Sequence, residues 1–433
     1  MTSPSTTFPG RVQAWWMVAI FCIAGFVSYV DRMILSVLVE PLQRDLGIGD
    51  AQTSLLQGAA FAIVYVFAGL PLGILADRKT RRNLLILGSI VWTAGTLLCG
   101  LAPTFWMLFA ARILVGIGEA ALAPAAASMI SDSFPAHLRG TALGVFMMGM
   151  VVGGPGSVGI GGSLLSAAQN GAFKGFPFLA NLADWRIVLV LVGLAGFVIP
   201  ILSLTVREPA RQERESEATI AAVISHVRGE RILIPSLLVG IALLSVGDYG
   251  LYSWVPSTLT RKFGWSPDKI GGYFSLITTL TGIAGAVLGG ALSDAAAKRF
   301  GEPARYKVAA GAAFIGAIAA AFVAGPRPEH VLIGLGLWTL ASSFGAIGGI
   351  AALQHAMPNE MRGISMSFVA FCNTLLGLGL GPTIVASVTE FGFKRPDAVG
   401  LAIALVVVPA SILSVCLFSI SRRAVTTKVQ TRH

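Results

Sequence analysis

The chain has 433 residues, of which 55% are hydrophobic and 12% charged, and its mean hydropathy is +0.78. Soluble domains carry about 25% charged residues, so a soluble fold is excluded, and apolar runs near the roughly 20 residues that cross a bilayer recur from end to end. The net charge of +10 does not indicate a nucleic-acid partner, because the basic residues stand in short loops between apolar runs.

The opening MTSPSTTFPGRVQ lacks the basic start, short apolar core and small-residue cleavage site of a removable leader. It reads as a tail, 1–13, ahead of an uncleaved first helix. Spans are expected near 14–39, 52–76, 83–101, 104–127, 138–166, 186–206, 233–256, 269–292, 304–324, 330–353, 365–389 and 398–421. The first contains FVSYVDRMILSVLV, 26–39, with Asp31 and Arg32 side by side. A charge in hydrocarbon costs several kcal/mol unless it is paired or faces water, so both are candidate functional residues. Adjacent helical residues diverge by about 100°, so the two cannot point at one spot.

The second span contributes Tyr65, a candidate cavity residue, and ends in GILADRKTRR, 73–82. Its glycines suit close helix approach, its Asp can face a neighbouring helix terminus, and its basic cluster anchors the loop. Gly73, Asp77, Arg78 and Arg82 are the candidate residues of this loop, and plain positive-inside anchoring accounts for its Lys and Arg but not for its Asp. The fourth span reads RILVGIGEAALAP, 112–124. Arg112 and Glu119 fall two turns apart on nearly one face, about 10 Å along the axis. The expected network pairs Arg32 with Glu119 and leaves Asp31 within reach of Arg112 or the aqueous lumen. The competing reading is an ion pair that only fixes helix packing, although such pairs are weak stability devices. A carboxylate held by an Arg can titrate when substrate or conformation removes its partner, and an Arg fork also suits a carboxylate or phosphate.

GVFMMGMVVGGPGSVGIGG, 144–162, makes the fifth span a glycine- and proline-rich helix suited to packing and bending. The mixed-charge stretch 207–232 reads as a solvated linker, or a TIAAVI patch resting on the membrane surface, between bundles at 14–206 and 233–421. A second tail follows at 422–433. In the seventh span Asp248, Tyr249 and Tyr252 line the cavity or lie near the outer interface. Asn373 and Thr374 in the eleventh have the same two readings. Cys22, Cys99, Cys372 and Cys416 stand singly in apolar runs as packing residues. His137, His226 and His433 read as loop or tail residues and His330 and His355 as helix-end residues, so no metal or cofactor is expected.

With both termini inside, 20 of the 31 Lys and Arg fall on the cytoplasmic side, which sets the orientation. Trp106, Trp185, Trp254 and Trp265 then fall at outer helix ends. A shift of 217 superposes Asp31 on Asp248, Leu42 on Leu259, Arg44 on Arg261, Gly47 on Gly264 and GILAD at 73–77 on GALSD at 290–294, which sets Asp294 beside Asp77 as a candidate. PAHLRGTAL at 135–143 matches PNEMRGISM at 358–366. The fold class expected is therefore an all-α membrane protein of twelve transmembrane helices in two pseudo-symmetric six-helix bundles, a transporter architecture.

GILADRKTRR resembles the signature loop of the major facilitator superfamily, with Thr80 where that pattern has Gly. The resemblance implies a latch of the cytoplasmic gate at Gly73, Asp77, Arg78, Arg82 and Asp294, with Asp77 and Arg78 conformational and not ligands of substrate. Arg112 resembles the superfamily's fourth-helix arginine, and the fifth span is similar to its antiporter motif, with imperfect spacing. SYVDRMILSVL, LADRKTRR, IVWTAGTL and RILVGIGEAALAPAAASMISDSF together resemble bacterial Spinster-like transporters, most specifically over residues 28–140. The second half shows only general superfamily features. That resemblance implies a non-enzymatic carrier, working as a monomer in the bacterial inner membrane. Its substrate would be a small amphipathic lipid of lysophospholipid or sphingolipid type, with protons as coupling ion. Asp31, Arg32 and Glu119 would be the coupling and gating charges, supported by Arg112. The alternative is an organic-anion or drug transporter, since a YxDR first helix is also similar to anion–cation symporters of the superfamily.

Overall fold

A computed structural model describes residues 8–212, 220–358 and 361–430. Among them, twelve helices are long and apolar enough to cross a membrane: α1 (Arg11–Leu46), α2 (Asp50–Gly69, helical on to Arg78), α3 (Arg81–Leu101), α4 (Phe105–Ser133), α5 (Ala136–Gln169), α6 (Asp184–Ser203), α7 (Leu233–Phe263), α8 (Pro267–Phe300), α9 (Pro303–Val323), α10 (Pro328–Ala356), α11 (Ile364–Phe393) and α12 (Pro396–Thr426). The chain is a multi-pass membrane protein. Most helices outrun the expected spans by a turn or more, because polar residues extend them past the apolar window.

Packing divides the chain into two units. One holds residues 1–48, 60–215 and 267–272, and the other holds 49–59, 216–266 and 273–433. In the first, α1 packs on α5, and α3 on α4 and α6; in the second, α7 packs on α10, α11 and α12, and α9 on α10 and α12. Without a hydrophobic drive between helices in lipid, close packing needs small residues at the crossings. Gly153 of α5 shows the geometry, since a Cβ there would stand 2.6 Å from the Phe26 carbonyl oxygen and 2.9 Å from Tyr29 Cβ. Gly149 lies one turn earlier against the backbone of Cys22. Gly149→Val is expected to lower stability by about 1–3 kcal/mol through overpacking. Gly144→Val, where a Cβ meets nothing within 4 Å, should be near neutral. Thermal unfolding in detergent compares the two.

The internal repeat has a backbone signature. α1 ends at Gly47 with φ 64° and α7 at Gly264 with φ 66°, each a left-handed cap closed by an N–H onto the last turn. Only glycine enters that region without strain, so both halves retain it. The arginines of the repeat differ. Arg261 holds Asp50 bidentately at 2.7 and 2.8 Å, whereas Arg44 is exposed.

Two expectations need correction. Trp185 and Trp254 are fully buried and do not form an interfacial belt. Their indole N–H groups donate to Asp45 Oδ2 at 3.1 Å and to the Pro382 carbonyl at 2.9 Å, which makes deep burial affordable. The stretch 207–232 is not uniformly a solvated linker either. Glu208, Arg211 and Gln212 bond to the first unit, and Ile220–Gly229 forms a helix.

Candidate functional site

The first and fourth spans are both interrupted where their charges stand. α1 breaks at Ile34, and α4 turns at Ala120 and Ala121, directly after Glu119. In α4 the cause is Pro124, which offers no N–H to Ala120. In α1 side chains enter the carbonyl ladder. Arg112 donates through Nη1 to the Asp31 carbonyl at 3.1 Å and through Nη2 to the Arg32 carbonyl at 3.5 Å, while Ser36 Oγ donates to the Met33 carbonyl at 2.8 Å. Three successive carbonyls thus accept side-chain donors, a recognised cause of a helix kink.

Around that kink the expected pair is present. Arg32 Nη2 donates to Glu119 Oε2 at 2.8 Å, and Ser28 Oγ donates to the same oxygen at 2.7 Å. Arg32 is 5% exposed and Glu119 1%. The guanidinium lies over three aromatic rings, with centroids at 4.7 Å for Tyr29, 4.5 Å for Phe61 and 5.0 Å for Tyr65. Ring quadrupoles stabilise a desolvated cation there. Asp31 follows the expectation only in part. Arg112 reaches its main-chain carbonyl, while its carboxylate Oδ2 accepts from Thr96 Oγ1 at 3.0 Å. It is fully enclosed within the bundle at 1% exposure. Two arginines and two carboxylates make the cluster formally neutral, which is the condition for burying it.

Ser28, Tyr29 and Phe61 complete this site, and none was a sequence candidate. Ser28 was legible in principle, since it stands one turn before Arg32 on the same face. Thr96 carries no charge and had no signal.

The gate residues separate. Arg82 donates its backbone N–H to Glu208 Oε2 at 2.8 Å and Nη2 to the Leu204 carbonyl at 2.8 Å. Asp294 pairs with Arg305 at 2.6 Å, beside Ser293 and Glu302. Arg78 is exposed, and a Cβ on Gly73 would meet nothing within 4 Å, so Gly73 marks no close helix crossing. The side chain of Asp77 lies outside the described residues. The residue at the centre is Arg81, fully buried and bonded to Asp132, Ser128, Glu208 and the Pro209 carbonyl.

In the second unit, Asp248 lies near the middle of α7, not at its outer end. Trp338 Nε1 and Ser342 Oγ donate to it at 2.8 and 2.5 Å. Tyr252 meets Phe274 edge-on with centroids 5.3 Å apart, and Tyr249 packs where a Cβ on Gly377 would stand 3.0 Å from its ring. Asn373 and Thr374 open a wide π turn, 373–378, within α11. Such turns insert a residue and recur at functional sites.

The family model described as Major Facilitator Superfamily matches residues 21–382. An "MFS-type efflux pump" of Mycolicibacterium smegmatis is 28% identical over 392 residues, 88% of this chain and 86% of that protein. "Protein spinster" of Drosophila melanogaster is 28% identical over 315 residues, 69% of this chain, and the match spans 49% of that protein, about half its length. In fold, the chain is similar to a bacterial homolog of the human lysosomal transporter Spinster, solved inward-facing and unoccupied. The TM-score is 0.77 at 24% identity, covering 96% of this chain and 97% of that one.

Proposed function

We propose that this chain, a secondary transporter that belongs to the Major Facilitator Superfamily, moves an anionic amphipathic lipid of lysophospholipid or sphingolipid type in exchange for protons. The observation that carries the reading is the Arg32–Glu119 pair set among Tyr29, Phe61 and Tyr65. Arg112 donates to the α1 carbonyls, whereas the Arg32 guanidinium holds a carboxylate. A phosphate headgroup suits its planar fork, and the neighbouring rings suit an apolar chain. In the proposed cycle the headgroup takes Arg32 from Glu119. The freed carboxylate then takes a proton, because an unpaired charge at that depth is costly. Arg112 stays on the α1 carbonyls and keeps the kink in place. The efflux-pump relative supports an exporter, and the same reading has it working as a monomer in a bacterial inner membrane with both termini cytoplasmic.

Uptake of a labelled lysophospholipid into proteoliposomes, with and without an imposed pH gradient, tests this. Gradient-dependent uptake is expected, lost in Glu119→Gln and reduced in Asp31→Asn. Uptake indifferent to the gradient in every protein would remove protons from the reading. No lipid uptake, with uptake of a small organic anion in its place, would transfer the site to the other substrate class.

A further inference from the structure

The second unit holds a carboxylate that the Arg32 site does not use. Asp248 is half-buried near the middle of α7, and both hydrogen bonds given to it, from Trp338 Nε1 and Ser342 Oγ, land on Oδ1. The two donors stand one turn apart on α10 and carry no charge. Among the described residues no Lys, Arg or His forms an ion pair with Asp248. The ionisable groups on its own helix nearby are Tyr249 and Tyr252. The flanking Gly247 and Gly250 meet Val407 of α12 and Val385 of α11, and α8 presents Phe274 to Tyr252. The charges of the packed helices stand towards their ends: Glu329, His330 and His355 on α10, Asp397, Arg422 and Arg423 on α12, Glu390 on α11, and Asp268, Lys269, Asp294, Lys298 and Arg299 on α8.

A carboxylate within a membrane-spanning helix, with neutral donors alone, is costlier to ionise than one paired with a cation. The surroundings also argue for the smallest cation. Trp338 is fully buried in a slot between Gly247 and Gly316, where a Cβ on Gly316 would stand 3.2 Å from the ring. Its position is thereby fixed, and it has no open face for an organic cation. The ring of Tyr252 is engaged by Phe274.

We infer that Asp248 is a second proton-accepting site, whose Oδ2 takes a proton from hydronium and releases water while Oδ1 keeps its bonds to Trp338 and Ser342. The new O–H bond neutralises the charge without disturbing either donor. This stands apart from the Arg32 reading, because the two carboxylates belong to different units and the test reads no transport.

Infrared difference spectra between high and low pH, on the full chain in liposomes, carry that test. A protonated-carboxyl band is expected in wild type and in the Asp31→Asn/Glu119→Gln double variant. The same band should be absent in Asp248→Asn and shifted in frequency in Trp338→Phe and Asp248→Glu. The last variant retains a carboxyl and guards against misfolding of Asp248→Asn. A spectrum unchanged by all three substitutions, in proteins that elute as folded monodisperse species, would overturn the inference. So would loss of the band on adding decylammonium at constant pH, which would make Asp248 an ammonium site.

Discussion

Arg32→Ala is expected to abolish lipid uptake and to destabilise the folded chain by about 3–5 kcal/mol, the usual cost of removing one partner from a buried pair. Glu119 would keep Ser28 as its remaining donor, at a site 1% exposed. The space among Tyr29, Phe61 and Tyr65 would also empty. The combined Arg32→Met/Glu119→Leu variant separates the two roles. Both charges go, and replacing a buried pair with apolar side chains of similar volume is often neutral or stabilising by about 1–4 kcal/mol. Its thermal midpoint should therefore return close to wild type while uptake stays absent. Arg32→Lys keeps the charge but loses the planar fork, so it should fold and still transport poorly. Recovery of uptake in the apolar double variant would reduce the pair to a helix-packing device.

The architecture was legible because bilayer crossing leaves a coarse signal: apolar windows, loop charges and a repeat at constant offset. Gly47 and Gly264 are the sharpest instance, since a sequence coincidence became two left-handed caps. The Arg32–Glu119 pair was legible for a related reason. Charges in a span must find one another, and few were available. What escaped was whatever depended on uncharged groups or on the exact rotation of a helix. Thr96 on the Asp31 carboxylate, Ser28 on Glu119 and Trp338 on Asp248 have no compositional mark. The interruption of α1 at Ile34 involves Arg112 of α4 as well as its own Ser36, and no local pattern in α1 records the arginine. Trp185 and Trp254 misled in the opposite direction, because an indole near the edge of an apolar window suits lipid headgroups as well as an Asp or backbone-carbonyl partner within the bundle.

In GILADRKTRR the largest effect is expected at Arg81, one step from the residues that motif matching favours. Arg81→Ala should cost about 3–5 kcal/mol, and Arg78→Ala less than about 0.5 kcal/mol. Arg78 is exposed, whereas Arg81 is 0% exposed and uses its whole fork. Nε donates to Glu208 Oε1 at 2.7 Å, Nη1 donates to Ser128 Oγ at 3.0 Å and to Asp132, and Nη2 donates to the Pro209 carbonyl at 2.9 Å. These partners belong to the end of α4 and the chain just past α6, so one side chain joins three elements. Asp132, itself 4% exposed, would lose its cation. Lys cannot replace it, because a single ammonium on a flexible stem does not reach acceptors set in three directions. Arg81→Lys should thus recover less than half of the lost stability in a detergent melt. If Arg78→Ala proved the more damaging change, the exposed cation would be holding a partner that forms in another stage of the transport cycle. If Arg81→Ala does, the basic loop stabilises its own bundle through Arg81.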